Sequence, residues 1–232
     1  MSFEKAKTTY RKNAHVQKQM AEFLISNLIK HFNNDFNKIL EIGAGTGFLT
    51  DEIYKKIKFD EITLNDLTDN FTNHSPNSYL KGDILKVNLK NDYDLILSNA
   101  VFQWIENFDE LFSKLHSSIK KGGICSFSYF GCQNFSQIKD ITGIGLSYPN
   151  LDEIIKKQGF EILYFEEELK TLYFESVKEL LYHIKLTGVK AKKLSWTKCD
   201  LINFEKSYQE KYMDNQGYEL TYHPIYYILR AI

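Results

Sequence analysis

The chain has 232 residues, 43% of them hydrophobic and 25% charged, with a formal net charge of −1. That length suffices for a full hydrophobic core, and that balance excludes a disordered polyelectrolyte and a chain-wide trap for polyanions. Arg11 and Arg230 are the only arginines, so bidentate clamps for carboxylate or phosphate are scarce. Cys125, Cys132 and Cys199 form no CxxC pair, which fits a reduced compartment. The amino terminus is too polar for a signal peptide and no apolar run approaches a membrane span. The expected location is cytoplasmic, with no membrane partner.

In chain order, apolar spacing predicts a helix over residues 3–31, with Phe3, Ala6, Tyr10, Ala14 and Gln17 near one face. KILEI (Lys38–Ile42) reads as a buried strand, and Phe48 to Lys56 as a helix. EITLND, YLKGDI and DYDLILSN supply three further strands. Phe108 to Ile119 is amphipathic, and the KKGG that follows reads as its C-cap before the strand ICSFSYF. After a helix from Leu151 to Lys157, GFEILYFEEELKTLYF reads as one strand. Helices over Ser176–Thr187 and Lys198–Tyr212 follow, and YYILRAI closes the chain as a strand. This alternation predicts an α/β fold with a doubly wound, mostly parallel sheet. The expected organisation is a single domain, 1–232: an N-terminal helical segment at 1–31, a cofactor-binding core at 32–170, a helical lid at 171–215 and a final strand at 216–232.

The turn between the first strand and its helix, EIGAGTG, carries the chemistry. Gly43, Gly45 and Gly47 are spaced G-x-G-x-G, with Phe48 where a dinucleotide loop would have its third glycine, and no Lys-Ser/Thr pair completes a P-loop. Glu41 would repel a phosphate chain and suits a cationic ligand. Plain readings stand beside the sharp one: glycines that only permit positive φ, Asp66 as a turn residue or cap, and Asp83 as Gly-Asp turn chemistry.

EIGAGTG resembles the first motif of class I S-adenosylmethionine-dependent methyltransferases. The resemblance implies a seven-stranded Rossmann-like sheet with helices on both faces, and S-adenosylmethionine as cofactor. It places Glu41 near the ligand's ammonium, Asp66 on the ribose hydroxyls, Asp83 at the adenine amine, and Ser98–Asn99 facing the cofactor at the end of strand four. The implied cofactor residues are Glu41, Gly43, Ala44, Gly45, Gly47, Asp66, Leu67, Asp83, Ile84 and Asn99.

Four further stretches resemble the malonyl-acyl-carrier-protein O-methyltransferases of biotin synthesis. They are the N-terminal F-x-x-A-x-x-x-Y-x-x-x-A-x-x-Q, SNAVFQW (Ser98–Trp104), ELLYHIKLTGV (Glu179–Val189) and LTYHPIYYIL (Leu220–Leu229). The chemistry implied is methyl transfer to the free carboxylate of malonyl-acyl-carrier protein or malonyl-CoA. A carboxylate of pKa near ~4 is already ionised at neutral pH, so no general base is expected and catalysis is by positioning. Tyr10 and Gln17 are candidates to lie over the cofactor, with Phe102 and Trp104 walling the methyl group. Arg11, Lys185 and Tyr222 are candidates for the substrate carboxylate, although a solvated lysine and a core tryptophan are the ordinary readings of Lys185 and Trp104. The lysine-rich, acid-free run Lys185–Lys198 would attract an acidic carrier protein. No histidine has ligand spacing, so no metal is expected. SNAVFQW stands where base-amine methyltransferases carry an N/D-P-P-Y/F/W signature, which argues against a nucleic-acid substrate.

Overall fold

The computed structural model describes residues 9–69, 72–147, 151–187 and 197–232. These fall into two compact units. The sheet unit comprises the described parts of Val16–Tyr129, Pro149–Glu166 and Ile225–Ile232; the small unit comprises those of Met1–His15, Phe130–Tyr148 and Glu167–Pro224.

The sheet unit opens with α1 (His15–His31), whose Val16, Met20, Ala21, Leu24, Ile25 and Leu28 are buried. The expected single helix over 3–31 is broken: residues 9–13 are helical, Ala14 is not, and α1 starts afresh at His15. Phe3 and Ala6 lie outside the described residues. Next come β1 (Asp35–Ile42), α2 (Phe48–Lys56), β2 (Lys58–Asp66), β3 (Ser78–Lys81) and β4 (Tyr93–Asn99). The second halves of β1 and β2 are buried at every residue bar the last of β2. Runs buried on both faces are what a parallel sheet between helix layers requires. Then follow a short 3₁₀ turn (Phe102–Trp104), α3 (Phe108–Ser118) and β5 (Ile119–Phe130). Asn107 caps α3, its side chain accepting the Glu110 N–H at 3.1 Å and donating to the Glu110 carboxylate at 3.0 Å.

KKGG is not the C-cap of α3. It lies inside β5, where the register against β4 jumps from Tyr93↔Ile119 to Leu95↔Ile124. A Cβ on Gly123 would stand 2.7 Å from the Ile119 side chain and 3.2 Å from the Asp94 carbonyl, so the close approach needs glycine. The glycines serve a β-bulge.

The small unit contains α4 (Ser136–Thr142), a helix the sequence pattern did not announce. The chain then returns to the sheet unit with α5 (Leu151–Lys157) and β6 (Phe160–Glu167). GFEILYFEEELKTLYF is two strands, because the chain turns at Glu168–Leu169 and β7 (Lys170–Phe174) joins another sheet. After it come α6 (Val177–Thr187), α7 (Lys198–Tyr212), the two-residue β8 (Met213–Asp214), β9 (Gly217–Tyr222) and β10 (Pro224–Ala231). The segment 216–232, expected to be one strand, is likewise two, in different sheets. A capping box at Thr197 and Asp200 starts α7.

The seven-stranded sheet has the order β3-β2-β1-β4-β5-β10-β6, and β7-β9-β8 form a separate antiparallel sheet. The β1–β2, β1–β4, β2–β3 and β4–β5 pairings are parallel. Strand order reverses between β1 and β4, so the carboxyl ends of these strands frame the crevice where open α/β sheets bind ligands.

Candidate active site

The last residues of β1, β2 and β4 meet at that crevice. Glu41, next to last in β1, is 1% exposed. Its Oε2 accepts a hydrogen bond from the Thr50 hydroxyl at 2.8 Å, whereas Oε1 has no hydrogen-bond partner among the described residues. Burial pushes its pKa up to about 8; the Thr50 bond opposes this and the charges of Asp51 and Asp66 add to it. A buried carboxyl with a bare oxygen is costly unless a cation or donor completes it.

Gly43, Gly45 and Gly47 have φ of 72°, 51° and 90°, all left-handed. A Cβ on Gly43 would lie 2.2 Å from the Val101 side chain, so only glycine fits there. Gly45 is open: a Cβ would meet nothing nearer than the Gly43 carbonyl, at 3.8 Å. The loop is tied to the end of β2, with the Gly43 and Ala44 N–H groups donating to the Asn65 carbonyl at 2.8 and 3.0 Å. The Gly45 N–H donates to Asp66 Oδ2 at 2.9 Å, and Asp66 Oδ1 accepts from the Thr68 N–H and hydroxyl at 2.9 and 2.7 Å. Asp66 is thus held at the crevice beside Leu67, which is 72% exposed. An apolar side chain left so bare beside Asp66 offers a surface that an aromatic ring can cover.

Asp83 follows β3. Its Oδ1 accepts the Leu85 N–H at 3.0 Å, and Oδ2 stands 3.7 Å from the Lys86 ammonium. The turn reading therefore holds for one oxygen and leaves the other at the surface. Ile84 beside it is buried. Asn99 uses both ends of its amide within the protein, Nδ2 donating to the Gln17 carbonyl at 3.0 Å and Oδ1 accepting from the Ser128 hydroxyl at 2.6 Å. It anchors α1 at the crevice. Gln17 is 2% exposed.

Two residues central to this geometry were missed from sequence. Thr50 orients Glu41, and Asn65 donates to the Leu80 and Gly82 carbonyls at 2.8 and 3.0 Å, fixing β3 and hence Asp83 against β2. A hydroxyl in the first turn after the glycines was a visible signal for Thr50; nothing in TLNDL singled out Asn65.

The substrate-side expectations divide. Phe102 is wholly buried, its ring packed on Phe112 and Phe127. Trp104 is 47% exposed. Tyr10, Arg11, Lys185 and Tyr222 belong to the small unit. Burial pushes the Tyr10 phenol up to about 12. Lys185 is exposed. Tyr222 is buried between the Phe130 and Phe135 rings, and its hydroxyl lies 2.8 Å from His183 Nε2. Burial holds the His183 pKa below the ordinary value, helped by His15 and opposed by Glu179. The imidazole and the Tyr222 hydroxyl thus link α6 to β9. Residues 188–196 of the lysine-rich run lie outside the described residues, as do Gly188 and Val189 of the K-x-T-G-V ending. Among the described residues no group of His, Cys, Asp and Glu could hold a metal ion, and no helix is long and apolar enough to cross a membrane.

The strand order, the left-handed glycine cradle and the bare, buried Glu41 oxygen fit a ligand with an ammonium and a nucleoside, and they define a class I S-adenosylmethionine-dependent methyltransferase. The methyltransferase-domain family matches residues 13–165. A Bacillus halodurans protein described as a methyltransferase has a similar structure, with TM-score 0.64 at 14% identity over 89% of this chain and 97% of its own; at that identity the likeness shows the fold alone. The malonyl-[acyl-carrier protein] O-methyltransferase of Calditerrivibrio nitroreducens is 41% identical over 231 residues, 98% of this chain and 94% of the relative. The protein of the same name from Bacteroides thetaiotaomicron is 34% identical over 98% of this chain and 95% of its own. The chain belongs to the malonyl-[acyl-carrier protein] O-methyltransferase family.

Proposed function

We propose that the chain methylates the free carboxylate of malonyl-acyl-carrier protein with S-adenosylmethionine, giving the methyl ester that primes pimeloyl synthesis for biotin. The observation that carries this reading is 41% identity along nearly the whole chain to a relative named for that reaction. When bound, the cofactor supplies a sulfonium methyl that the carboxylate oxygen takes as the carbon–sulfur bond breaks, so both charges vanish.

The protein's task is then to bind, align and exclude water. Glu41, with Thr50 on one oxygen, uses the other for the cofactor ammonium. Asp66 takes the ribose hydroxyls from its fixed position at Gly45 and Thr68. The backbone of Gly43, Ala44, Gly45 and Gly47 admits the methionine part, Leu67 covers one face of the adenine, and Asp83 with Ile84 meets its edge. Asn99 contributes by holding Gln17 at the crevice. No side chain has to remove a proton, because the carboxylate is ionised at neutral pH. For the substrate we assign Arg11, Lys185, Tyr10 and Trp104, with the cations attracting the carboxylate and its carrier and the aromatic groups excluding water. Residues 171–215 select the substrate, and malonyl-CoA presents the same carboxylate as a second methyl acceptor. The protein acts without nucleic acid or a membrane.

Mass spectrometry of malonyl-acyl-carrier protein incubated with the enzyme and cofactor tests this. One added methyl is expected, absent with Gly45→Arg, whose side chain would fill the open space above the loop. Equal methylation of free malonate would overturn the carrier-thioester reading.

A further inference from the structure

At the amino end of β1 and β4, far from the glycine loop, a groove of about 310 Å³ is lined by Phe32, Phe36, Asp94, Lys120, Lys121 and Arg230, with the Gly122–Gly123 bulge as its floor. Five steps along β4 separate Asp94 from Asn99, about 16 Å at the usual rise, so nothing bound here reaches the cofactor crevice. The volume is near the lower end of that of small-molecule sites.

Charge gives the groove its chemistry. Asp94 is already satisfied by the protein, Oδ2 accepting the Lys38 N–H at 2.8 Å and Oδ1 the Lys120 ammonium at 2.6 Å. Arg230 has only a 3.6 Å pairing with Glu161, and both side chains are about half exposed, so the guanidinium is readily diverted. Lys121 is exposed and makes no ion pair among the described residues. Three cations against Asp94 leave an excess of two, reduced to one if flanking Glu161 is counted. The half-buried rings of Phe32 and Phe36 add an apolar wall. Gly122, at φ +79°, has nothing within 4 Å of where a Cβ would stand, so its backbone is open to a ligand.

We propose that this groove binds a small phosphate monoester with an apolar body. The phosphoryl group lies between Lys121 and Arg230, where a guanidinium fork and an ammonium point charge suit a dianion better than a single carboxylate. The body lies on Phe32 and Phe36. The site is separate from methyl transfer, and its ligand is neither substrate nor cofactor.

Calorimetric titration of the full chain at low ionic strength, saturated with S-adenosylhomocysteine to close the cofactor site, tests this with three probes: phenyl phosphate, benzoate and inorganic phosphate. Phenyl phosphate is expected to bind several-fold more tightly than either of the others. Its affinity falls about tenfold in Lys121→Glu and in Arg230→Gln, while the methyl-transfer rate of both variants matches the parent. Absence of phenyl phosphate binding, equal binding of benzoate, or undiminished binding in both variants would overturn the proposal.

Discussion

The two units are held together by different physics. In the sheet unit Ile39, Leu40, Ile62, Leu64, Leu95, Ile96 and Leu97 are all fully buried, an aliphatic core that is indifferent to direction. The small unit adds oriented polar bonds to an aromatic-rich interior that includes Phe130, Phe135, Phe204 and Tyr222. Gln137 donates to the Thr221 hydroxyl at 2.7 Å and accepts the Thr221 N–H at 3.0 Å. His223 accepts the Gln133 N–H at 3.2 Å and meets Glu167 at 3.1 Å. Tyr208 donates to the Glu219 carbonyl at 2.7 Å. An aliphatic core tolerates substitution in proportion to volume; a polar network fails at the bond that is lost.

Substitutions that act on one unit and spare the other would sharpen this contrast. The largest effect is expected from Gly45→Arg, which should abolish adenosylmethionine binding by calorimetry while the far-ultraviolet circular dichroism stays unchanged. Leu97→Ala should cost about 2–5 kcal/mol of global stability in urea unfolding, since a fully buried side chain leaves a cavity. Gln137→Ala should cost about 1–3 kcal/mol, with faster amide exchange confined to α4 and β9, because buried donors and acceptors lose their partners. Equal loss of protection in the sheet strands would erase the distinction between the units.

A pH titration tests the crevice itself. The folded Glu41 pKa, about 8, lies above the ordinary 4.5, so folding favours the protonated carboxyl. The Glu41 contribution to the stability of the cofactor-free protein should therefore be full below pH 4.5 and be lost as the pH rises toward 8. Thermal melts across that window should show the slope in the parent and lose it in Glu41→Gln. The smallest effect expected is for Thr197→Ala, about 1 kcal/mol, through loss of the α7 cap.

The same contrast explains what could be read from the sequence. Periodicity located α2, α3 and α5 nearly to the residue, and fixed the ends of β1 and β2 while placing their starts three residues late. The places of Glu41 near the end of β1 and of Asp66 at the end of β2 were legible because polar residues close each apolar run. The small unit is assembled from separated segments, so β7 and β9 ran into their neighbours as single strands, and α4 went unseen. Its polar bonds are made by Gln, Thr and His, which no apolar pattern registers.

The Asn99 amide, engaged at both ends, has a practical consequence. It rivets the backbone of α1 at Gln17 to the ends of β4 and β5, beside the crevice. Affinity tags and reporter fusions are better joined at the carboxyl terminus, where Ile232 is exposed and touches none of these bonds.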